Sequence, residues 1–305
     1  MRKLYPIIRK SYAAMQDSIG GKKKKEDLEA DRLLFEYKEM TIFYNTSFLI
    51  IITMLLLQIS RVVMGGPRWK GKGAEMEALR NPISKSILDL KSSLIKSDSK
   101  GILSGCSVRL ACNPEQTNLL NQTCFGRPET TVDEDQWFQF TLEEAFYLYF
   151  CLKCIKIEEG DGSVKNDNEL WEYMTSKKIA FPDLFKAYSH LRDKNWVVRS
   201  GCQFGVDFVA YRHHPSCVHS EFAVLVFSDG KGGGNDRLRV WTDFQSMLRL
   251  CGGVAKTLLI LHVNRNGEKM TASSPSCLDG YSVEERTITR WSAELCREDQ
   301  GFGLK

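Results

Sequence analysis

The feature that most constrains the fold is a pair of strongly apolar, strand-length runs near the C-terminus, at residues 219–227 and 255–263. Between them, a helical pattern begins at a capping Thr242 and runs over residues 242–253, where it ends at two glycines. Further strand-like segments lie at residues 206–211 and 281–289. Strands with an intervening helix predict an α/β domain over residues 199–305, with the run at 255–263 as a central strand.

The segment before this domain has helical patterns instead. Thr141 and Glu144 have the spacing of a capping box, which predicts a helix start. Helical patterns follow at residues 145–154, 167–178 and 181–191. The first of these is apolar nearly all round, which is typical of a buried helix. These patterns predict a small helical domain over residues 137–198.

Residues 64–136 have weak periodicity and several Gly, Ser and Pro residues. The apolar positions Leu79, Ile83 and Leu90 allow one amphipathic helix. The remainder has the composition of a loop. We therefore expect this region to be poorly structured or partly helical.

Residues 1–63 form a charged and hydrophobic extension. Within it, residues 41–60, from Thr41 to Ser60, are twenty uncharged residues of which thirteen are apolar. A helix of that length reaches about 30 Å, enough to cross a bilayer. The segment is therefore a candidate membrane span, and membrane association is the alternative to a nuclear location.

Two other interpretations of this extension stay open. It can form a buried helix, or it can be a non-native extension, since Met64 could itself start translation. Basic residues flank the apolar segment on both sides, among them Arg68 and Lys70, so the charges define no orientation.

Charge and cysteine content narrow the classes of function. The chain has 42 Lys and Arg residues and 38 Asp and Glu residues, which gives a net charge of +4. Residues 1–40 contain 10 of the basic and 7 of the acidic residues, so residues 41–305 have a net charge of only +1. Bulk charge thus gives no argument for nucleic-acid binding, and any phosphate contact must come from a few placed side chains. Ten cysteines are too sparse for a disulfide framework, and we expect a reduced, intracellular protein.

Three residues at the edges of predicted strands have the chemistry of metal-free RNA cleavage: Tyr211, His219 and Lys256. That reaction must remove a 2′-hydroxyl proton, protonate the leaving 5′-oxygen and neutralise charge at phosphorus. Imidazole suits proton transfer, and an ammonium group suits the anion. By themselves the spacings are weak evidence, because a strand tyrosine is usually packed and a strand-end lysine is usually solvated.

The residues around these three carry a resemblance. The run SGCQFGVDFVAY at residues 200–211, with Pro215 and HSEFAV at 219–224, resembles the signature of tRNA-splicing endonuclease catalytic subunits. The segments LRL at 248–250 and VAKTL at 254–258 are similar to the sequence segment that contains the catalytic lysine in that family. The resemblance runs from about residue 64 to the C-terminus and looks closest to the eukaryotic subunit that cuts the 5′ splice site.

The resemblance implies a fold and a reaction. The fold is α/β (α+β), with a small helical N-terminal domain before a C-terminal mixed-sheet endonuclease domain of the restriction-endonuclease-like type. Tyr211 is then the general base, His219 the general acid and Lys256 the stabiliser of the transition state. The products are a 2′,3′-cyclic phosphate and a 5′-hydroxyl, and no metal or other cofactor takes part.

The resemblance also implies partners. Arg249 and Trp291 match the pair that sandwiches a flipped intron base in this family. The substrate is precursor tRNA, and the working enzyme is a nuclear heterotetramer in which this chain joins a second catalytic and two structural subunits. Membrane contact through residues 41–60 is a further expectation, and the polar stretch over residues 264–280 is a hypothetical docking segment for a partner.

The chain departs from the family at a few positions. Gln203 stands where related chains often have a basic residue, which removes one phosphate contact. His213 and His214 are extra histidines between Tyr211 and His219, and we expect both to be exposed loop residues. His219 is the preferred acid, because it begins an apolar strand.

Rival functions remain at this point. A metal-dependent nuclease would use Asp207 and Glu221, but Ala223 occupies the position of the lysine that such a site needs. The pair Cys151 and Cys154 is a lone CxxC without a partner pair, which favours buried thiols over a zinc or redox site. Two further rivals are a non-catalytic scaffold subunit of the same complex and the paralogous subunit that cuts the 3′ site.

Overall fold

The computed structural model describes residues 66–129, 136–228, 238, 240–265 and 274–289. These residues lie in one compact unit that contains two five-stranded mixed sheets and their helices. The mixed α/β class predicted from the sequence is confirmed. The restriction-endonuclease-like type and the domain boundaries at residues 136 and 198 stay predictions.

The first sheet is built by the N-terminal half of the described chain. Its elements are α1 (Ala74–Arg80), α2 (Ile83–Lys96), β1 (Lys100–Ser104), β2 (Ser107–Cys112), α3 (Pro114–Thr123), β3 (Arg127–Glu129), β4 (Gln136–Thr141) and β5 (Lys156–Glu158). The strand order is β3-β4-β2-β1-β5, in which only β1 and β5 pair in parallel. Val108, Leu110, Phe138 and Phe140 are buried on the face that packs into the main core.

The expectation of a mostly loop-like region before residue 137 is wrong for residues 66–129. Two helices replace the single predicted one, because Pro82 has an extended backbone and separates α1 from α2. The strands β1 and β2 escaped the pattern analysis because their few buried residues alternate with Lys, Ser and Arg over only five or six positions. A strand that buries only one of its faces needs no continuous apolar run, even inside a sheet.

The capping box predicted at the next helix is confirmed. The amide of Glu144 donates to Thr141 Oγ1 at 3.3 Å, and the Thr141 amide donates to Glu144 Oε2 at 3.0 Å. The helix α4 (Leu142–Phe146) continues into one π-helical turn, Tyr147–Cys151. Two further helices follow, α5 (Asp167–Lys177) and α6 (Phe181–Asp193).

The helical character expected of residues 137–198 is therefore only part of the structure there. Strands β4 and β5 come from this stretch, and its helices cover a sheet that begins before residue 137. Residues 155–157 fit a short strand, which β5 confirms. Strand β4 gives little period-two signal, because half of its six residues are polar.

The second sheet is formed by β6 (Val197–Ser200), β7 (Phe208–Tyr211), β8 (Phe222–Ser228), β9 (Thr257–Arg265) and β10 (Tyr281–Ile288). Its order is β10-β9-β8-β7-β6, with β8 in the middle and β9 between β8 and β10. Only β8 and β9 are parallel. The connection between them contains α7 (Trp241–Gly253). The strands, helix and interior position predicted from the sequence are confirmed.

Alternating side chains of this sheet pack on two sides. Phe222, Val224 and Val226 face the main core with α6, whereas Ala223 and Leu225 face a smaller cluster with the apolar side of α7. The predicted cap at Thr242 is wrong, because α7 begins at Trp241 and Val240 occupies the capping position without a side-chain hydrogen bond.

Among the described residues, no helix is both long and apolar enough to cross a membrane. The candidate span at residues 41–60 lies outside the described residues.

Candidate active site

Strand register brings the three predicted catalytic segments to one end of the second sheet. Ala210 in β7 pairs with Phe222, which in turn pairs with Thr257 at the start of β9. Because β7 runs opposite to β8 and β9, the end of β7 meets the beginnings of the other two strands. Tyr211 is the last residue of β7, and Lys256 directly precedes β9.

Backbone hydrogen bonds extend this edge one residue beyond β8. The Glu221 amide donates to the Ala210 carbonyl at 3.0 Å, and the Thr257 amide donates to the Glu221 carbonyl at 2.8 Å. The Glu221 carboxylate accepts from Arg212 Nε at 3.0 Å. These contacts fix the spacing of the chain segments on which Tyr211 and Lys256 lie.

His219 lies in the segment before β8, three residues ahead of Phe222, so the expectation that it begins the strand is wrong. It is exposed, and its amide donates to the Arg68 carbonyl at 3.0 Å. Partial desolvation lowers the pKa of the imidazole, and the positive charges of Lys70, Arg68 and Lys256 lower this pKa further. The ring is therefore surrounded by cations that favour its neutral form.

Lys256 is half-buried over an aromatic ring. Its Nζ lies 4.3 Å from the centre of the Phe204 ring, and its amide donates to the Cys251 carbonyl at 2.8 Å. Desolvation lowers the pKa of the ammonium group, and the charge of Arg68 adds to this. The preceding residue, Ala255, has a left-handed backbone with φ of 49°. The lysine is thus held at the end of a short, strained connection.

Tyr211 is half-buried, and its ring contacts two small hydrophobic clusters, one that includes Val209 and one that includes Val197. Within the described part of the chain, its hydroxyl group makes no hydrogen bond. Packing therefore fixes the position of the Tyr211 ring, while its hydroxyl group stays available to bind substrate.

Of the two residues predicted to sandwich a base, only Arg249 lies among the described residues. Arg249 is exposed in the last turns of α7. Trp291 lies outside the described residues. The joint role of the two residues stays a prediction.

His213 and His214 are not the exposed loop residues that the sequence suggested, because both are half-buried. His213 Nε2 is 2.8 Å from the Asn81 carbonyl oxygen, and His214 Nδ1 is 2.6 Å from Ser216 Oγ. Both line a polar groove of about 450 Å³ against α1, α2 and α3. They connect the loop before His219 to the N-terminal helices.

The carboxylates of the rival metal-nuclease interpretation are engaged elsewhere. Asp207 Oδ2 accepts from the Val226 amide at 2.9 Å, and Glu221 accepts from Arg212. Gln203 is exposed in a short 3-10 turn, Cys202–Phe204. No group of three potential metal ligands occurs within the described residues. In the CxxC pair, Cys154 is buried, and burial raises the pKa of its thiol to about 12.

Sequence analysis missed three residues that contact the site. Phe204 supplies the aromatic ring that contacts Lys256. It lies within the family-like segment at residues 200–211, where an aromatic residue next to a glycine is the only sequence signal for this role. Arg68 and Lys70 lie beside His219, although the sequence analysis counted them only as charges flanking an apolar segment. No sequence pattern connects them to the site.

Comparison with known proteins gives a consistent result. The family model of the tRNA intron endonuclease catalytic C-terminal domain matches residues 181–271, and that of the N-terminal domain of the same family matches residues 99–171. The first range contains Tyr211, His219 and Lys256.

Several curated proteins are similar over most of this chain. The chain is 54% identical to tRNA-splicing endonuclease subunit Sen2-2 of Arabidopsis thaliana over 240 residues. The aligned residues cover 78% of this chain and 94% of that protein. It is 48% identical to a probable tRNA-splicing endonuclease subunit Sen2 of Oryza sativa subsp. japonica, over 77% of this chain and 83% of that protein. The Sen2 subunit of Gallus gallus is 28% identical over 61% of this chain and 42% of its own length.

Proposed function

The chain belongs to the tRNA-splicing endonuclease Sen2 family, and on that premise we propose that it is a metal-independent endoribonuclease that excises introns from precursor tRNA. It cuts at the 5′ splice site and leaves a 2′,3′-cyclic phosphate and a 5′-hydroxyl. The observation that carries this proposal is the position of His219 and Lys256 at the sheet edge where the strand of Tyr211 ends.

Each of the three side chains has one role in the proposed reaction. The 2′-oxygen forms a bond to phosphorus while the bond to the 5′-oxygen breaks. Tyr211 removes the 2′-hydroxyl proton, and His219 donates a proton to the leaving 5′-oxygen. Lys256 stabilises the extra negative charge on the phosphoryl oxygens. A fixed ammonium group supplies the charge that a metal ion supplies in other nucleases.

The electrostatics of the site support the assignment of His219 as the acid. Without substrate, desolvation and the nearby cations lower its pKa and favour the neutral ring. A bound phosphodiester brings negative charge, which raises the pKa of the imidazole again. This upward shift favours the protonated ring in the complex with substrate, where a proton donor is needed.

The RNA contacts beyond the scissile phosphate are also proposals. Arg249 and Trp291 hold a flipped base of the intron bulge between them, and the exposure of Arg249 supports this role. Stacking of this kind is worth about 1–3 kcal/mol per base and recognises RNA shape more than sequence.

We propose that the chain works within a tRNA-splicing endonuclease complex, with one second catalytic subunit and two structural subunits. The names of its Arabidopsis thaliana relatives, which call them subunits, support a complex. The proposed location is the nucleus. Membrane contact through residues 41–60 is the alternative.

The decisive experiment reconstitutes the complex and supplies intron-containing precursor tRNA with EDTA present. We expect cleavage at the 5′ junction and a cyclic phosphate end. His219→Ala lowers the rate of that cleavage by about 10²–10⁴-fold, because it removes the proton donor. The matched controls His213→Ala and His214→Ala retain the cleavage, since those rings contact the N-terminal helices.

Three results would contradict the proposal. Loss of cleavage in EDTA would argue for a metal-dependent reaction. Loss of cleavage at only the 3′ junction on His219→Ala would assign the chain to the other splice site. An unchanged rate at both junctions would make the chain a non-catalytic scaffold subunit.

A further inference from the structure

We propose that Arg68 and Lys70 are RNA-binding residues that hold phosphate groups next to the scissile bond. This inference rests on the proposed function, because it assigns further contacts at the same site. Both residues lie outside the ranges 99–171 and 181–271 that match the family models. The contacts of the segment that contains them carry the argument.

The segment with these cations is attached to the active-site loop by backbone pairing. Trp69 forms an antiparallel bridge with Val218, directly before His219. The Lys70 amide donates to the Cys217 carbonyl at 2.7 Å, and the Arg68 carbonyl accepts from the His219 amide at 3.0 Å. Alternation along this short pairing puts Arg68 and Lys70 on one side of the segment and Trp69 on the other.

The side chains of the two cations reach both sides of the site. A terminal nitrogen of Arg68 donates to the Ala255 carbonyl at 2.6 Å, one residue before Lys256. Lys70 Nζ donates to the Pro215 carbonyl at 2.8 Å. Both charges are close enough to His219 to lower the pKa of its ring. The pair therefore adjoins the proposed scissile phosphate.

No carboxylate among the described residues neutralises the positive charge of this pair. Within the described residues, neither Arg68 nor Lys70 forms an ion pair with a carboxylate, and both side chains are exposed. The side-chain hydrogen bonds that they form with described residues go to carbonyl oxygens. Other cations near the sheet have carboxylate partners, such as Arg212 with Glu221 and Arg265 with Asp183.

Three cations that have no carboxylate partner in the described part of the chain, Arg68, Lys70 and Lys256, thus lie around one imidazole. Such an arrangement repels itself and gains free energy when a polyanion binds. Only one of the three charges is needed at the scissile phosphate. The neighbouring phosphates of an RNA strand are the anions that the other two can contact, and such contacts orient a backbone without reading its sequence.

The test separates charge from hydrogen bonding by means of amide substitutions. Arg68→Gln combined with Lys70→Gln removes both charges but keeps an N–H donor on each side chain. Lys72→Gln is the matched control, because Lys72 is exposed and two residues away. The Kd of the reconstituted complex for precursor tRNA is measured as a function of salt concentration, and cleavage is measured as a function of pH.

We expect the double variant to bind precursor tRNA about tenfold more weakly at physiological salt. The slope of log Kobs against log salt becomes shallower by about 0.7–0.9 for each cation removed. The alkaline limb of the pH profile of kcat/KM moves to higher pH, because the pKa of His219 rises when Arg68 and Lys70 lose their charges and only Lys256 remains beside it. Lys72→Gln leaves the Kd and the pH profile unchanged.

An unchanged Kd and salt slope in the double variant would overturn the inference and leave residues 68–70 a purely structural clamp. Lys70→Gln alone retains every backbone contact of the segment, so it decides the question if the double variant does not fold. A wild-type complex that binds precursor tRNA but does not cut it would contradict the proposed function, whereas the salt slopes would still decide the role of Arg68 and Lys70.

Discussion

At the scale of single residues, the Lys256 ammonium group is positioned by an aromatic ring and not by a carboxylate among the described residues. Lys256 has no carboxylate partner in the described chain, and the face of Phe204 at 4.3 Å replaces one. An aromatic face attracts an ammonium group without neutralising it. The ring therefore keeps the full charge of Lys256 available for the phosphoryl oxygens.

Replacing this ring gives a test at the same scale. Phe204→Leu lowers kcat for 5′-junction cleavage by about 2–30-fold, because a cation–π contact is worth about 0.5–2 kcal/mol. The control is Phe244→Leu, since Phe244 contacts the same small hydrophobic cluster but stacks on Trp241 instead of a lysine. Equal rates for the two variants would assign the Phe204 ring to packing alone.

At the scale of elements, the connection between β6 and β7 positions that ring. The Gly201 amide donates to the Asp207 carbonyl at 3.0 Å, and its carbonyl accepts from the Phe204 amide at 2.8 Å. A Cβ atom at Gly201 would lie 2.5 Å from Val206 Cγ2 and 2.8 Å from the Val206 carbonyl oxygen. The tight turn that presents Phe204 therefore requires a glycine.

Gly201→Ala is accordingly expected to destabilise the protein by about 1–3 kcal/mol, because the new methyl group meets backbone atoms that cannot move away. Thermal or urea unfolding measures the change. Gly252→Ala is the control in α7, where a Cβ atom meets nothing within 4 Å, and it should be neutral or slightly stabilising. Similar stabilities of both variants would show that the turn relaxes.

Some helices and strands could be predicted from the sequence, and others could not. The Thr141 capping box, α6 and the long strands β8 and β9 were predicted, because each has a strong local signal in caps or apolar runs. The short strands β1 and β2 were not, because they have only five or six residues each and their outer partners, β5 and β4, come from later in the chain. Local periodicity cannot reveal such pairing.

At the scale of the whole molecule, the two sheets share one core and one buried arginine. Arg192 in α6 donates to the Tyr188 hydroxyl at 3.0 Å and to the Cys124 carbonyl at 3.2 Å. Its guanidinium lies 4.1 Å from the centre of the Phe125 ring. Arg199 in β6 donates to the Gly126 carbonyl at 2.6 Å. The end of α3 is thereby attached to the domain that carries the candidate site.

Arg192→Ala removes these contacts and leaves buried carbonyl oxygens without donors, so we expect a loss of about 3 kcal/mol of unfolding free energy. A single unfolding transition is expected for wild type and variant, because the core is continuous between the sheets. Lys194→Ala is the control, since its exposed ion pair with Glu285 contributes less than about 1 kcal/mol. Two separate transitions in the wild type would contradict the shared core.

The sequence by itself determined the mixed α/β class, the second sheet with its helix, and the three residues proposed for catalysis, because caps, apolar runs and a local motif are written in neighbouring positions. Only the tertiary structure decided that residues 66–129 build part of the first sheet and that Arg68 and Lys70 lie at His219. Lys70 and Pro215 are 145 positions apart in the chain. Contacts over such separations depend on how whole elements pack, and no local pattern of side chains encodes them.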